Sequence, residues 1–282
     1  MPALLTARNR PLLMLGLLLI AMVAIATRPL LSAAGGDVSV FDIRTFAPIS
    51  VPAGLLPAAG LNLAHATGKG TAEAKDAPKQ VPTLDAAKAV VGFAPLLPTG
   101  VGAPSAIYVS TAQTQRHTFT AAEVDQALTK AKVHAPQVAA LLDGSTAVID
   151  LPAAAGFLWG TRQAPTLALV EMPSPKLTLA GASAATLRQA LLAASGQTGP
   201  EQSLTQQMLA INDWQHTMPV PVPPGASASS VTLPQGGRGL HITGAKDGHA
   251  MTMLLWQSKG LVYVLVEPGT TIDLAALAGT IR

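Results

Sequence analysis

Six histidines are the residues of this chain best suited to metal binding or acid–base chemistry. They stand at positions 65, 117, 134, 216, 241 and 249, and no two show the His-x-x-x-His spacing that places two imidazoles on one helix face. His241 and His249 fall on neighbouring predicted strands and could approach each other. Isolated polar strand residues are the simpler interpretation, so we expect no metal site and no bound cofactor.

Serine nucleophiles and phosphate-binding loops require spacings that this chain does not meet. Gly181-Ala-Ser183-Ala-Ala185 is closest to a nucleophile elbow, but it lacks the second glycine, and Ser183 is expected to cap a helix. The stretch 66–71, ATGKGT, has the Gly-Lys of a phosphate loop, but Leu63 stands where the first glycine is required. We therefore expect no catalytic residue, and a Ser–His–Asp hydrolase stays an alternative without a motif.

Large aromatic and methionine side chains offer another kind of site, an apolar groove between a sheet and its helices. Core packing is the usual role of such residues. Methionine, however, is flexible enough to line a deformable apolar binding site. The candidate groove residues are Trp159, Met208, Trp214, Met251, Met253, Trp256 and Tyr263.

The composition excludes several classes of function. The chain has no cysteine, which rules out disulfides, thiolate zinc sites and iron–sulfur clusters. Its net charge of +3 arises at Arg8, Arg10 and Arg28, because the other 15 basic residues balance 15 acidic ones. No basic run is interleaved with aromatic residues, so we expect no nucleic-acid partner.

Residues 11–31 are predicted to be a signal anchor or a signal peptide. The uncharged run at 11–27 would form about 25 Å of helix, close to the ~30 Å of a hydrocarbon core. Two arginines before the run and one after it predict a cytoplasmic segment 1–10 and an exported body. The run is longer than the ~7–15 residues of most signal peptides, which favours an anchor and a single-pass protein of the cell membrane. Cleavage near Ala26 is the alternative and would give a secreted protein.

The exported part divides into a tether and a folded body. Residues 32–82 are rich in alanine, glycine and proline, which predicts a flexible tether, although the apolar patch near 38–46 could add an isolated strand. The folded body is expected at 83–282, either as one domain or as two subdomains, 83–172 and 173–282.

Caps, turns and alternation predict the elements of this body. Thr83 caps a helix over 84–91, and the capping box Thr120…Glu123 opens a second helix that ends before Pro136. Further helices are predicted from Ser183, over 201–214 and over 273–281. Strands are predicted near 106–110, 146–151, 156–160, 166–172, 230–233, 239–243, 251–257 and 261–267, the last two joined by a three-residue loop at 258–260. Runs of strands without regular βαβ alternation indicate an α+β fold, mainly an antiparallel sheet with several short helices, after the N-terminal membrane helix.

The pattern after Leu187 resembles that of a known family. A helix with Leu187, Leu191 and Leu192 precedes Asp213-Trp214 and the run Thr217-Met-Pro-Val-Pro221; a hairpin with Trp256, Gly260 and Tyr263 and a short Leu/Ala helix then close the chain. This resembles the uncharacterised extracytoplasmic domain that follows a single membrane span in bacterial anti-sigma-factor-like proteins. The resemblance implies an envelope protein, sometimes linked to signalling. About ten residues before the span are too few for a sigma-factor-binding domain, which argues against direct anti-sigma activity and leaves a sensing or accessory role.

These features predict a non-enzymatic, membrane-anchored, extracytoplasmic protein that binds or senses in the bacterial envelope. Its expected partners are the membrane, through residues 11–31, and a lipid or an envelope protein. A secreted or anchored hydrolase without a recognisable motif is one alternative, and a structural envelope protein is the other.

Overall fold

The structure is a computed structural model that describes residues 38–40, 43–50, 78–130, 136–161, 164–181, 206–207, 209–213, 216–246 and 249–282. Fourteen strands and four helices lie within these ranges, and nearly all strand pairs are antiparallel, which confirms an α+β fold at this level. The helices are α1 (Leu84–Val91), α2 (Ala121–Lys130), α3 (Pro136–Leu142) and α4 (Leu274–Ala278). The strands are β1 (Val38–Val40), β2 (Thr45–Ser50), β3 (Lys79–Val81), β4 (Ala106–Ser110), β5 (Gln113–Thr118), β6 (Thr146–Leu151), β7 (Ala154–Gly160), β8 (Pro165–Pro173), β9 (Lys176–Ala180), β10 (Thr217–Val222), β11 (Ser227–Thr232), β12 (Arg238–Lys246), β13 (His249–Ser258) and β14 (Leu261–Glu267).

An eight-stranded antiparallel sheet organises the described part of the chain, in the order β11-β12-β13-β14-β8-β7-β4-β3. Side chains alternate between its two faces along each strand, and both faces are apolar and buried. One face, here called the helix face, packs against α1 and α4 and carries Phe157, Leu169, Leu254 and Leu265. The opposite face, here called the ribbon face, carries Leu158, Val170, Leu255 and Val264.

A two-stranded parallel ribbon of β2 and β10 contributes Phe46 and Val220 to the cluster on the ribbon face. Proline has no amide proton, so Pro219 and Pro221 can only occupy the β10 positions whose nitrogen points away from β2. The proline-rich β10 is thus compatible with one edge that pairs with β2 and an opposite edge on which Pro219 and Pro221 offer no amide donors.

In a four-stranded antiparallel sheet, in the order β1-β9-β6-β5, β5 precedes α2 and β6 follows α3 along the chain, whereas β1 comes from residues 38–40. The buried side chains of this sheet include Ala147 and Leu179, and the two helices bury Val124, Val138 and Leu142. The predicted capping box at the start of α2 is confirmed. The Glu123 amide donates to Thr120 Oγ1 at 3.3 Å, and the Thr120 amide donates to Glu123 Oε2 at 3.2 Å.

Local signals predicted several elements with the observed bounds, namely α1, β4, β6 and β14. Thr83 caps α1 as expected, since its hydroxyl accepts the Ala86 amide at 3.1 Å. The loop between β13 and β14 differs from the prediction. Ser258 pairs with Leu261, so the loop has two residues and not three, and Lys259 (φ 52°) and Gly260 (φ 79°) both adopt positive φ. Both angles are those of a type I′ turn, whose twist matches the flanking strands.

The range assigned to a flexible tether, 32–82, contains three strands in the structure. β1 pairs with β9, β2 with β10 and β3 with β4, so each strand of this range has its partner elsewhere in the chain. Ile43 and Ile49 are buried at 2% and 1% exposure. One isolated strand near 38–46 was left open by the sequence, whereas the structure has three strands in this range. A short strand with a remote partner has little local composition signal that distinguishes it from a tether.

Several predictions fall outside the described residues. They are the anchor segment 11–31, the tether stretch 51–77, the helix from Ser183 and half of the residues of the helix predicted over 201–214. Among the residues that the structure describes, no helix is both long enough and apolar enough to cross a membrane. β5, β9 and α3 were not predicted from the sequence.

Candidate functional site

Three residues of the predicted groove come together on the helix face of the large sheet. Trp159, Trp256 and Tyr263 belong to one buried cluster, at 6%, 1% and 2% exposure. Trp256 and Tyr263 are cross-strand partners whose rings stack at 4.9 Å between centroids and 8° between planes. Trp159 donates its indole Nε1–H to the carbonyl of Gly102 at 3.0 Å.

The two methionines of the predicted groove lie on the other side of the sheet. Met251 and Met253 pack against the ribbon face, because each is an odd number of residues from Trp256 on β13 and successive strand residues point to opposite faces. The structure therefore does not bring them into one groove with the aromatic residues. Met208 and Trp214 lie outside the described residues.

A loop crosses the helix face above these aromatic residues. We call residues 92–102, GFAPLLPTGVG, the strap. Phe93, Leu97 and Val101 pack against the helix-face cluster, while the strap begins and ends at glycines with positive φ, Gly92 (79°) and Gly102 (75°).

The C-terminal residues of the chain hold the strap in place. The Arg282 amide donates to the Leu97 carbonyl at 3.4 Å, and the Thr99 amide donates to Thr280 Oγ1 at 3.2 Å. The Thr280 hydroxyl also donates to the Thr99 carbonyl at 3.4 Å, and Pro98 forms an isolated antiparallel bridge with Ile281. No helix or strand includes most of the strap, and irregular segments are on average less stable than the strands that they cover.

A carboxyl group lies beneath the strap. Glu171 is on β8 with Tyr263 of β14 and Ala155 of β7 as its direct neighbours across the sheet, and it is 0% exposed. Its only hydrogen-bond donor among the described contacts is the strap amide of Leu96, which lies 3.1 Å from both Oε1 and Oε2. A carboxylate can accept about four hydrogen bonds, so this group is poorly solvated by the protein.

Burial changes the pKa values of Glu171 and Tyr263, which are neighbours across the sheet. It raises the pKa of Glu171 from 4.5 to about 8, although the Leu96 amide acts in the opposite direction. Burial also raises the pKa of Tyr263 to about 12, and the negative charge of an ionised Glu171 adds to that effect. At neutral pH both groups are therefore mainly protonated, and the Glu171 carboxyl can donate a hydrogen bond as well as accept one.

A second buried carboxyl, that of Glu267, has several hydrogen-bond donors and a structural role, and it serves as a comparison for Glu171. Glu267 is 2% exposed and accepts hydrogen bonds from the Thr271 amide (3.0 Å), the Thr271 hydroxyl (2.6 Å) and the Ile272 amide (3.1 Å). These bonds hold the turn before α4. Glu171 has no comparable set of donors, and this difference makes Glu171 the candidate functional residue.

The histidines form no comparable site within the described ranges. His241 pairs with Leu254 and His249 with Lys246, so the two histidines are about 17 Å apart along the ladder and do not adjoin. No group of three His, Cys, Asp or Glu residues in the described part of the chain could hold a metal ion. His216 Nδ1 lies 2.9 Å from the Asp213 carboxylate.

Sequence reasoning missed Glu171, although part of the signal was present. Glu171 has the same parity as Leu167 and Leu169 in a predicted strand, so alternation assigns it to their face. That this face is covered by the strap depends on residues 92–102, and no local pattern revealed it. Comparison with protein-family models, curated proteins and solved structures gave no match to this chain.

Proposed function

We propose that this chain is a non-enzymatic binding or sensing protein of the bacterial envelope, anchored by residues 11–31, whose site lies beneath the strap. The site would take an amphipathic molecule such as a lipid. Its apolar part would lie against Trp256 and Tyr263, and its polar group would hydrogen-bond to Glu171 in place of the Leu96 amide.

The observation that carries this proposal is the buried Glu171 carboxyl, held by a single backbone amide of a loop. A strand position in a core is filled at lower free-energy cost by an apolar residue, because desolvating an ionisable group is costly. Strongly perturbed carboxyls cluster at functional sites for this reason. The strap adds a cover that is held by packing on the helix-face cluster and by backbone contacts of Leu96, Leu97 and Thr99.

The hydrolase alternative has one observation to consider, the Asp213–His216 pair. The backbone carbonyl of His216 accepts the amides of Arg44 and Thr45 at 2.8 and 3.0 Å, directly before β10. A role in fixing the junction of β2 and β10 accounts for this arrangement. We therefore prefer the binding function.

Native mass spectrometry of the full chain, released from membranes into detergent micelles, tests the proposal. We expect a discrete and reproducible adduct of lipid or metabolite mass on the unmodified chain. Glu171→Met, an apolar replacement of similar size, should reduce adduct occupancy about tenfold or more, because one buried polar contact to a ligand contributes that much. Glu267→Gln, which alters the structural carboxyl and leaves Glu171 in place, should retain the adduct. A bare mass across independent preparations, or equal occupancy in both variants, would refute the proposed site.

A further inference from the structure

The two outer strands of the eight-stranded sheet differ in how their free edges are protected. β3, at one end, has only three residues, contains Lys79 and is flanked by Pro78 and Pro82. Short length, lysine and proline are the devices that prevent a sheet edge from pairing with another strand. β11, at the other end, is six residues long and reads SASSVT, with no charge and no proline.

The other strand edges in the described ranges also carry protection. β1 has three residues, and β5 has Arg116 near its centre. β2 contains Pro48, and β10 contains Pro219 and Pro221. Within the described residues, β11 is therefore the edge strand of full length that lacks every one of these devices.

The ladder between β11 and β12 identifies the backbone groups at this edge. The Leu233 amide donates to the Gly237 carbonyl at 3.2 Å, which extends the register in which Ser229 pairs with His241. In an antiparallel ladder the hydrogen-bonded residues alternate, so the odd-numbered residues of β11 bond to β12. The amides and carbonyls of Ala228, Ser230 and Thr232 consequently point away from the sheet.

We propose that β11 pairs with β11 of a second copy of this chain, antiparallel and across a two-fold axis, to join two eight-stranded sheets. With Ser230 opposite Ser230 of the second copy, the three outward residues on each side form three pairs. Each pair exchanges two backbone hydrogen bonds.

A second copy fits this edge better than an unrelated peptide for two reasons. Across a two-fold axis the central residue meets itself and its neighbours meet residues equally close to the axis, so a charged side chain there would lie near its own copy; β11 has no charged residue. Its exposed side chains are three serines and a threonine, Ser227, Ser229, Ser230 and Thr232, which provide no pockets to select the side chains of a foreign peptide.

Single-cysteine crosslinking of the full chain in its membrane tests the pairing directly, because the chain has no native cysteine. Paired Cα atoms at the axis lie about 5.5 Å apart, within the range that a disulfide spans. Under mild oxidation, Ser230→Cys should therefore give a disulfide-linked dimer as its main product. The matched control is Gln80→Cys, at the centre of the protected edge strand β3 and equally exposed, which should yield at most about one fifth as much dimer.

A second variant measures the interface without a crosslink. Ser230→Lys leaves the ladder to β12 intact but places two like charges at the axis, and should weaken the dimer about tenfold or more in analytical ultracentrifugation. An unchanged near-ultraviolet circular dichroism spectrum verifies folding. The proposal fails if the unmodified chain is monomeric, if Ser230→Cys links no better than Gln80→Cys, or if Ser230→Lys dimerises as well as the unmodified chain. If Ser230→Lys dimerises as well as the unmodified chain, another part of the chain forms the dimer. If the unmodified chain is monomeric, β11 does not pair with a second copy, and a different protein is the remaining candidate partner for this edge.

Discussion

Replacing Glu171 with Gln should remove a large part of the pH dependence of stability between pH 5 and 8. In the folded chain the Glu171 carboxyl retains its proton up to pH about 8, whereas in the unfolded chain it loses the proton near its ordinary pKa of 4.5. Between these values the unfolded state binds fewer protons than the folded state. The free energy of unfolding must therefore fall as the pH rises through this window.

The size of the effect follows from the two pKa values. Below pH 4.5 the carboxyl is neutral in both states and imposes no penalty. Each pH unit above that value costs about 1.4 kcal/mol, so the penalty is about 3 kcal/mol at pH 7 and approaches roughly 5 kcal/mol above pH 8. The side chain is 0% exposed, so solvent screening does not reduce this figure appreciably.

Gln at position 171 keeps an acceptor for the Leu96 amide but adds a buried NH2 group without a known partner. That group should cost about 1–3 kcal/mol at every pH. The variant is therefore expected to be less stable than the unmodified chain at pH 5 and more stable at pH 8, so that the two curves cross.

Chemical denaturation of the full chain in mild detergent, followed by tryptophan fluorescence at pH 5, 6, 7 and 8, measures both curves. Glu267→Gln is the control; it should lower stability because it weakens hydrogen bonds in a turn, and the fall of stability with pH that Glu171 causes should persist in it. Parallel curves for Glu171→Gln and the unmodified chain would refute the argument that this carboxyl is buried with a raised pKa.

Three further substitutions, one of them with a control substitution, test local geometry through thermal or chemical unfolding. Gly160→Ala should lower the free energy of unfolding by about 2–4 kcal/mol, since its Cβ would lie 2.6 Å from the Ala164 carbonyl oxygen at a φ of +84°. Gly236→Ala is the control, because Gly236 has the same φ and open space around it, and it should cost only about 1 kcal/mol. Equal losses of stability in the two variants would contradict the predicted clash. Lys259→Asn should stabilise the β13–β14 hairpin by roughly 0.5 kcal/mol, because Asn tolerates positive φ better than Lys; a loss of stability would argue against the type I′ turn. Thr120→Ala should cost about 1 kcal/mol by removing the capping box of α2, and no change would show that the cap contributes nothing.

The sequence by itself determined the elements whose signals are local. The caps of α1 and α2 and the β-branched and aromatic run of β14 depend on neighbours a few positions away, and these predictions were confirmed. The turn before β14 was predicted from its glycine, but with three loop residues where the structure has two. Alternation on β13 also contained the information that Met251 and Trp256 point to opposite faces, although the predicted groove combined them.

The tertiary structure decided what local signals could not. β2 became a strand because β10, about 170 residues later, supplies its partner, and pairing over such distances is determined by packing and not by intrinsic preference. Glu171 became a candidate site for the same kind of reason. Its pKa depends on desolvation, and the desolvation depends on a strap that precedes it by about 75 residues and is fastened by the last residues of the chain. Burial is a property of the assembled fold, and a single sequence does not show which exposed-looking carboxyl will be enclosed.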